Sequence, residues 1–429
     1  MISPRRILAG ATTAIALTLA AAGAQAADFT VWGLQAFNPQ ADALIGKMVQ
    51  EFGQKNGIDA EYVVVPANVL NERLASAIEA QTLPDVFMTI SQNASIYTSK
   101  DLTIPLDDVL ADMRKVPGGI YERVVPQGGF AGKIYGLPLE VDVVPLIVRT
   151  DLLKQVGLDI PKTWDELRAA AKAIQAKNPM IQGFGFSMST ANDAEAQLRM
   201  LMWSFGGKMF SEDGKTVTFD SPETRAAFQF AADMALQDRT IPRAALTWDD
   251  AGNNVAYQTG RAAFVINPPS LYGWMKDNNP ELLANTAMVN IPKGPGEKGL
   301  NGASASTWVW LVAKSSQHQD LAKAWLRTFF EPAAYQQVIL TVGGRWVPIY
   351  KSMAELPLFK DTPQFAHFSE IAETGFADGY AGPPSAAASE IFAAKIVTNA
   401  FQKVVVSGTP VAEATAWAQA EMEKIAAQN

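Results

Sequence analysis

The sequence predicts an α/β protein with more than one structural unit. Three observations point there. Strand-like runs alternate with amphipathic helices from Asp28 onward, the pattern of a parallel sheet with right-handed crossovers. Val141 to Val148 is apolar and β-branched at nearly every position, which suits a strand buried on both faces. The chain has 429 residues, 48% hydrophobic and 18% charged, enough for two or three domains with ample cores.

Met1 to Ala26 reads as an export signal. Arg5 and Arg6 form its basic end, Ile7 to Ala22 carries no charge, and Ala24-Gln25-Ala26 is an A-x-A cleavage site. The mature chain is therefore expected to begin at Ala27. The apolar run is short for a membrane anchor and rich in Ala and Thr. The Arg5-Arg6 pair leaves both general and twin-arginine export open. No Cys lies near the cleavage site, so lipid anchoring there is excluded.

The chain has no Cys and two histidines, His318 and His367. Disulfides, thiolate metal sites, a cysteine nucleophile and a histidine-rich metal site are all excluded, and neither metal nor cofactor is expected. Cleavage of the leader would remove two of 35 basic residues and none of 43 acidic ones, deepening the formal charge from −8 to −10. An acidic exported chain suits neither nucleic acid nor an anionic membrane surface. No phosphate-cradling loop occurs. No carboxylate pair is held by sequence at a glycosidase separation, so no catalytic residue is predicted.

Taken in order, Asp28 to Gly33 is a strand ending in a turn, and Phe37 to Asn56 a helix stopped by Gly57. Ile58 to Pro66 is a strand, Asn68 to Ala80 a helix, and Leu83 to Ile90 a strand. Ligands in open α/β sheets bind at the carboxyl ends of strands, which directs attention to Trp32 through Asn38 and Thr89 through Asn93. Gly128, Gly129 and Gly132 supply turns. After the Val141 to Val148 strand, Thr150 can cap a helix that stops at Gly157. Thr163 and Glu166 form a capping box for the next helix. Further on come a strand over Ile181 to Phe186, a polar loop over Met188 to Asp193, and a short strand over Lys215 to Asp220. Ser221-Pro222 then starts a helix. Ala287 to Ile291 is a strand, Gly299 to Val312 a Gly/Ser loop feeding a strand, and Gln319 to Phe330 a helix. The tail is helical, with a break at Gly408 and Pro410.

"GKIYGLP", a buried strand, "DLLKQVGL" and "PKTWDEL", followed by "AYQTGRAAFVINPP" and "GGRWVP", resemble the extracellular solute-binding proteins of bacterial ABC importers, of the sugar-binding type. The resemblance covers nearly the whole mature chain. It implies a type II periplasmic binding protein fold, with two α/β lobes joined by three crossings and a ligand held between them. Residues 27–139 plus 292–342 would form the first lobe, and 140–291 plus 343–429 the second. Leu139 to Val143, Ala287 to Ile291 and Gly343 to Val347 would be the hinges. The implied partners are a carbohydrate and the permease subunits, with the protein a monomer in the periplasm. A secreted enzyme acting on saccharides is the rival class, and a non-sugar solute such as a polyamine the rival ligand.

The candidate ligand residues are of three kinds. Trp32 and Trp248, in polar loop contexts, can stack on a sugar ring or anchor their loops. Gln35, Asn38, Thr89, Ser91, Gln92, Asp193, Asn267, Ser304 and Ser306 lie at predicted strand ends and polar loops. Amides and hydroxyls there suit a polyol, or cap the turns they occupy. Asp142 is an acid inside an apolar stretch, which needs a partner because burying a lone carboxylate is costly. The resemblance matches it to a ligand-contacting carboxylate, with neighbouring Glu140 the alternative. Arg345 and Trp346 stand at the implied third crossing, where a guanidinium offers a fixed fork of donors to a ligand or a salt bridge. Trp308 and Trp310 face one side of a strand and are expected in the core.

Overall fold

The computed structural model describes residues 27–36, 38–66 and 69–428; the expected leader lies outside them. Three parallel strands come first: β1 (Phe29–Leu34), β2 (Ala60–Val65) and β3 (Val86–Ile90). A hairpin of β4 (Gly129–Phe130) and β5 (Lys133–Ile134) precedes β6 (Leu137–Pro138). β7 (Glu140–Val143), β8 (Leu146–Arg149), β9 (Gln182–Gly185), β10 (Ala262–Ile266) and β11 (Thr286–Val289) follow. β12 (Ala305–Ser306), β13 (Trp308–Val312) and β14 (Val347–Pro348) complete the set.

These strands form two large sheets, one per lobe. The first runs β2-β1-β3-β13-β6 and the second β11-β8-β10-β9. A third sheet, β12-β7-β14, lies between them. In it Asp142 is opposite Ser306, and Val141 opposite Val347, both pairings antiparallel. These three short strands are the three crossings, so the expected two-lobed fold is the observed one.

Local chemistry sets the boundaries. Asn38 caps the helix Pro39–Asn56 by accepting from the Gln40 and Ala41 amides, and Gly57 ends it at φ 69°. The Thr163–Glu166 capping box is present in both directions. Each lobe buries its own core: Phe29, Phe87, Trp310 and Trp325 in the first, Ile147, Phe184, Phe264 and Trp164 in the second, all 1% exposed or less.

Several expectations fail for identifiable reasons. Val141 to Val148 is two strands in different sheets, because Pro145 has no N–H to give a ladder. Thr150 opens its helix from within, its Oγ1 donating to the Asn285 carbonyl (2.9 Å). Lys215 to Asp220 contributes only a single bridge, Phe210 to Val217. Ala287 to Ile291 is not a crossing: β11 belongs to the second sheet, antiparallel to β8. Residues 293–301 stay with that lobe, the Lys293 N–H donating to Lys162 (2.8 Å) and the Leu300 N–H to Ser204 (2.9 Å). The chain returns to the first lobe at β12. The tail also straddles both lobes. Its helix Ala386–Ala393 packs on Ser91–Ser99, with Ser389 and Ser95 hydroxyls 2.6 Å apart. Its last two helices, Ile396–Val405 and Val411–Ala426, pack on Pro222–Leu236.

Candidate ligand-binding site

A cavity of about 500 Å³ opens where the two lobes and the central sheet meet. Its floor comes from the crossings: Asp142 and Val144 on and beside β7, Ser304 and Ser306 at β12, Trp308 at the start of β13, and Arg345 ahead of β14. The register that sets Asp142 against Ser306 places a carboxylate and a hydroxyl side by side. Arg345 arrives through Gly343 and Gly344 at φ 67° and 92°. A Cβ on Gly344 would lie 2.4 Å from the Phe365 ring, so only glycine lets the chain turn there.

The first-lobe wall carries Gln35 at the carboxyl end of β1 and Gln92 just beyond β3, with Pro66 and Ile90. The second-lobe wall is one face of the helix Asn192–Ser204. Asn192, Asp193, Ala196, Gln197, Met200 and Trp203 follow the three-to-four residue period of a single helical stripe. Asn267 stands at the end of β10, Asp249 and Asp250 at an exposed rim, and Asp378 on the tail loop.

The site holds its charges under stress. Burial pushes the Asp142 carboxyl up to about 6, and the positive Arg345 opposes the shift. Asp193 is pushed up to about 8 by burial first, then by the nearby Asp250 charge. Burial also raises Asp378 and lowers Arg345 from their ordinary values. The Arg345 guanidinium lies 5.2 Å from the Trp308 ring centroid. Three buried polar atoms on lining residues have no hydrogen-bond partner among the described residues: Asp142 Oδ1, Asn254 Oδ1 and Trp203 Nε1. Such groups are rare in native interiors and call for an explanation. A bound polar molecule would supply one.

Of the residues singled out in the sequence, Gln35, Gln92, Asp142, Asp193, Asn267, Ser304, Ser306 and Arg345 line the cavity. Six others do not reach it. Trp32 lies under the Arg73 guanidinium, 4.4 Å from its ring centroid, so its face is already covered. Asn38 is used as a helix cap, and its Nδ2 donates to the Thr341 carbonyl (2.9 Å). Thr89 is fully buried inside β3. Ser91 donates to Gln127 Oε1 (2.8 Å), and Gln127 in turn to the Ala305 carbonyl (2.7 Å), a tie between β3 and β12. Trp248 packs over Gly252, where a Cβ would meet its ring at 2.4 Å. Trp346 is 0% exposed and packs edge-on against Trp308 at 5.6 Å.

Trp308, expected in the core, is buried there at 5% exposed and also borders the cavity. Glu140, the alternative to Asp142, is 0% exposed; its Oε1 accepts from the Trp308 N–H (2.9 Å), and it does not line the cavity. Asp249, Asp250, Asn254 and Asp378 were missed. The acidic pair Asp249-Asp250 just ahead of a helix was the one visible signal.

Residues 38–336 match the family model of the bacterial extracellular solute-binding proteins. A binding protein of Brucella abortus is 26% identical over 374 residues, covering 86% of this chain and 87% of its own. The lactose-binding protein of Rhizobium radiobacter is 26% identical over 356 residues, 79% of each chain. The crystal structure of an ABC transporter solute-binding protein from Thermotoga lettingae, bound with α-D-tagatose, superposes with a TM-score of 0.81 at 21% identity. It covers 93% of this chain and 99% of that one, a likeness of fold.

Proposed function

We propose that this chain, which belongs to the family of bacterial extracellular solute-binding proteins, captures a carbohydrate or sugar derivative and delivers it to the permease of an ABC importer. One observation carries this reading: the cavity is walled by both lobes and floored by the crossings, so a ligand in it touches both lobes at once. Contacts made only in the closed form are what let a ligand shift a population toward closure.

Asp142, Asp193, Gln35, Gln92, Asn267, Ser304, Ser306 and Arg345 bind hydroxyls, and Trp308 lies under the Arg345 guanidinium and supports it. The first lobe comprises residues 27–139 and 307–342 and the second 144–303, with the tail beyond 349 packed on both and hinges at the three central strands. The protein works as a monomer, in the periplasm, after loss of its leader. Turnover of the ligand is not part of the reading. The enzyme alternative needed Asp142 and Glu140 as a pair facing one bond, and Glu140 is engaged behind the floor.

A thermal-shift screen over neutral and derivatised sugars tests the proposal. A ligand at a hundred times its dissociation constant should add about 2.7 kcal/mol to the stability, and it should be recovered chemically intact. Stabilisation by no carbohydrate, or release of a cleaved product, would overturn the reading.

A further inference from the structure

The cavity is not charge-balanced. Among the described residues it is lined by Asp142, Asp193, Asp249, Asp250 and Asp378, and by one cation, Arg345. Arg345 does not offset five acids, since its charge already faces Asp142, Glu140, Asp193 and Asp42 together. Asp378 has Arg199 nearby (3.7 Å), but Arg199 is buried and hydrogen-bonded to Glu195 at 2.9 and 3.2 Å. The donors that reach the Asp193–Asp250 pair are neutral. Asn253 Nδ2 donates to Asp193 (3.3 Å), the Asp193 N–H to Asp250 (2.9 Å), and Asn192 Nδ2 to Asp250 (3.4 Å). Lys395, on the Asn192 Oδ1 and 4.1 Å from the Phe392 ring centroid, is not in the lining, and its charge is shared among Glu195, Asp250 and Asp378, so the acids still outnumber the cations that face them.

The acids are spread round the wall rather than converged. Among the described residues no three of His, Cys, Asp or Glu are placed to hold a metal ion. A distributed set of carboxylates fits a cation carried on a larger molecule. Trp203 borders the same space. The residue is 1% exposed, and its Nε1–H, like those of Trp164, Trp310, Trp325 and Trp346 away from the cavity, has no acceptor among the described residues. A hydroxyl oxygen can accept that bond, whereas an ammonium group cannot.

We propose that the ligand is a cationic carbohydrate, an amino sugar or amino-polyol whose protonated amine lies among Asp193, Asp250 and Asp142 while its hydroxyls meet Trp203 and the amides. This rests on the carbohydrate reading above and narrows it. Carboxylates crowded into a partly desolvated space repel one another. An ammonium hydrogen-bonded to one of them also lowers the repulsion felt by its neighbours, and it gives the site a reason to reject neutral sugars.

Calorimetric titration of the mature chain with matched pairs tests this: glucose against glucosamine, cellobiose against fully deacetylated chitobiose, and sorbitol against glucamine. Putrescine and spermidine complete the panel. The amine-bearing member of at least one pair should bind about tenfold or more tighter than its hydroxyl partner. That preference should collapse in Asp193→Asn, and shrink in Asp250→Asn at the exposed rim, with melting curves showing that both variants fold. Equal or tighter binding of the neutral partners would overturn this inference and leave the carbohydrate reading standing. Binding of putrescine or spermidine with no sugar of either series would overturn both. An amine preference that persists unchanged in both variants would also overturn the inference, by moving the cation elsewhere.

Discussion

On the first-lobe side the cavity is faced by Gln35, Pro66, Ile90 and Gln92; on the second-lobe side, by Asn192, Asp193, Asp249, Asp250 and Asp378. The first set has no charge, and the second has four carboxylates. The difference follows from how each lobe builds its face. The first-lobe residues sit at and just beyond the ends of parallel strands, where short loops expose amides and few side chains. The second lobe presents a whole helical stripe and a rim loop, with room for a row of acids. A hydrogen bond from a neutral amide is worth roughly 1 kcal/mol net, whereas bonds to charged groups are worth about 1.5–3. On the proposed reading, most of the selectivity therefore belongs to the second lobe, and the first lobe adds its contacts on closing.

The sharpest way to break that asymmetry is at the floor between the walls. Asp142→Ala should cost about 2–3 kcal/mol of binding, near a hundredfold in dissociation constant, with the fold intact. Calorimetry reads it, and a normal affinity would make Asp142 a structural residue only.

A second effect should appear on stability. Asp193 is held at about 8 against an ordinary 3.8. A carboxyl raised on folding binds its proton more tightly when folded. Its contribution is complete below the unfolded value of about 3.8 and is lost as the pH rises through about 8. The melting temperature of the ligand-free protein should thus fall between about pH 5 and pH 8 more steeply than that of Asp193→Asn. Parallel curves would put Asp193 in water.

On the neutral wall, Gln92→Ala should weaken binding by only ~1 kcal/mol, and a loss as large as that of Asp142→Ala would erase the contrast between walls. Least of all, Trp32→Phe should leave affinity unchanged and shift stability within about 0.5 kcal/mol, because its ring is covered by Arg73 rather than by ligand.

Much of the fold was legible because its signals are local. The Thr163 capping box, the Gly57 and Gly157 stops and the β–α alternation are read within a few residues of themselves. Asp142 and Arg345 were also legible, since an acid in an apolar run and an arginine between glycine and tryptophan are both anomalous where they stand. What failed depends on distant chain. Trp308 and Trp310 share one strand face and are both buried as alternation predicts, but only Trp308, the first residue of β13, also borders the cavity, while Trp310 is closed in by Phe329. Alternation cannot say where a sheet ends. Asn38 looked like a ligand amide because a cap and a ligand donor need the same side chain. Asp378 reaches the wall only because the tail folds back across both lobes.

The Tyr335 hydroxyl donates to the Leu139 carbonyl (2.7 Å) and accepts from the Ile349 N–H (2.8 Å). Leu139 and Ile349 flank β7 and β14 at the same end of the central sheet. One phenol thus pins two strands that are otherwise paired over only a couple of residues. Neither strand can slip lengthwise past the other without losing both bonds, while bending across the pin disturbs neither. In mechanical terms, the proposed closure would use this joint as a hinge pin, with swing permitted and slide opposed.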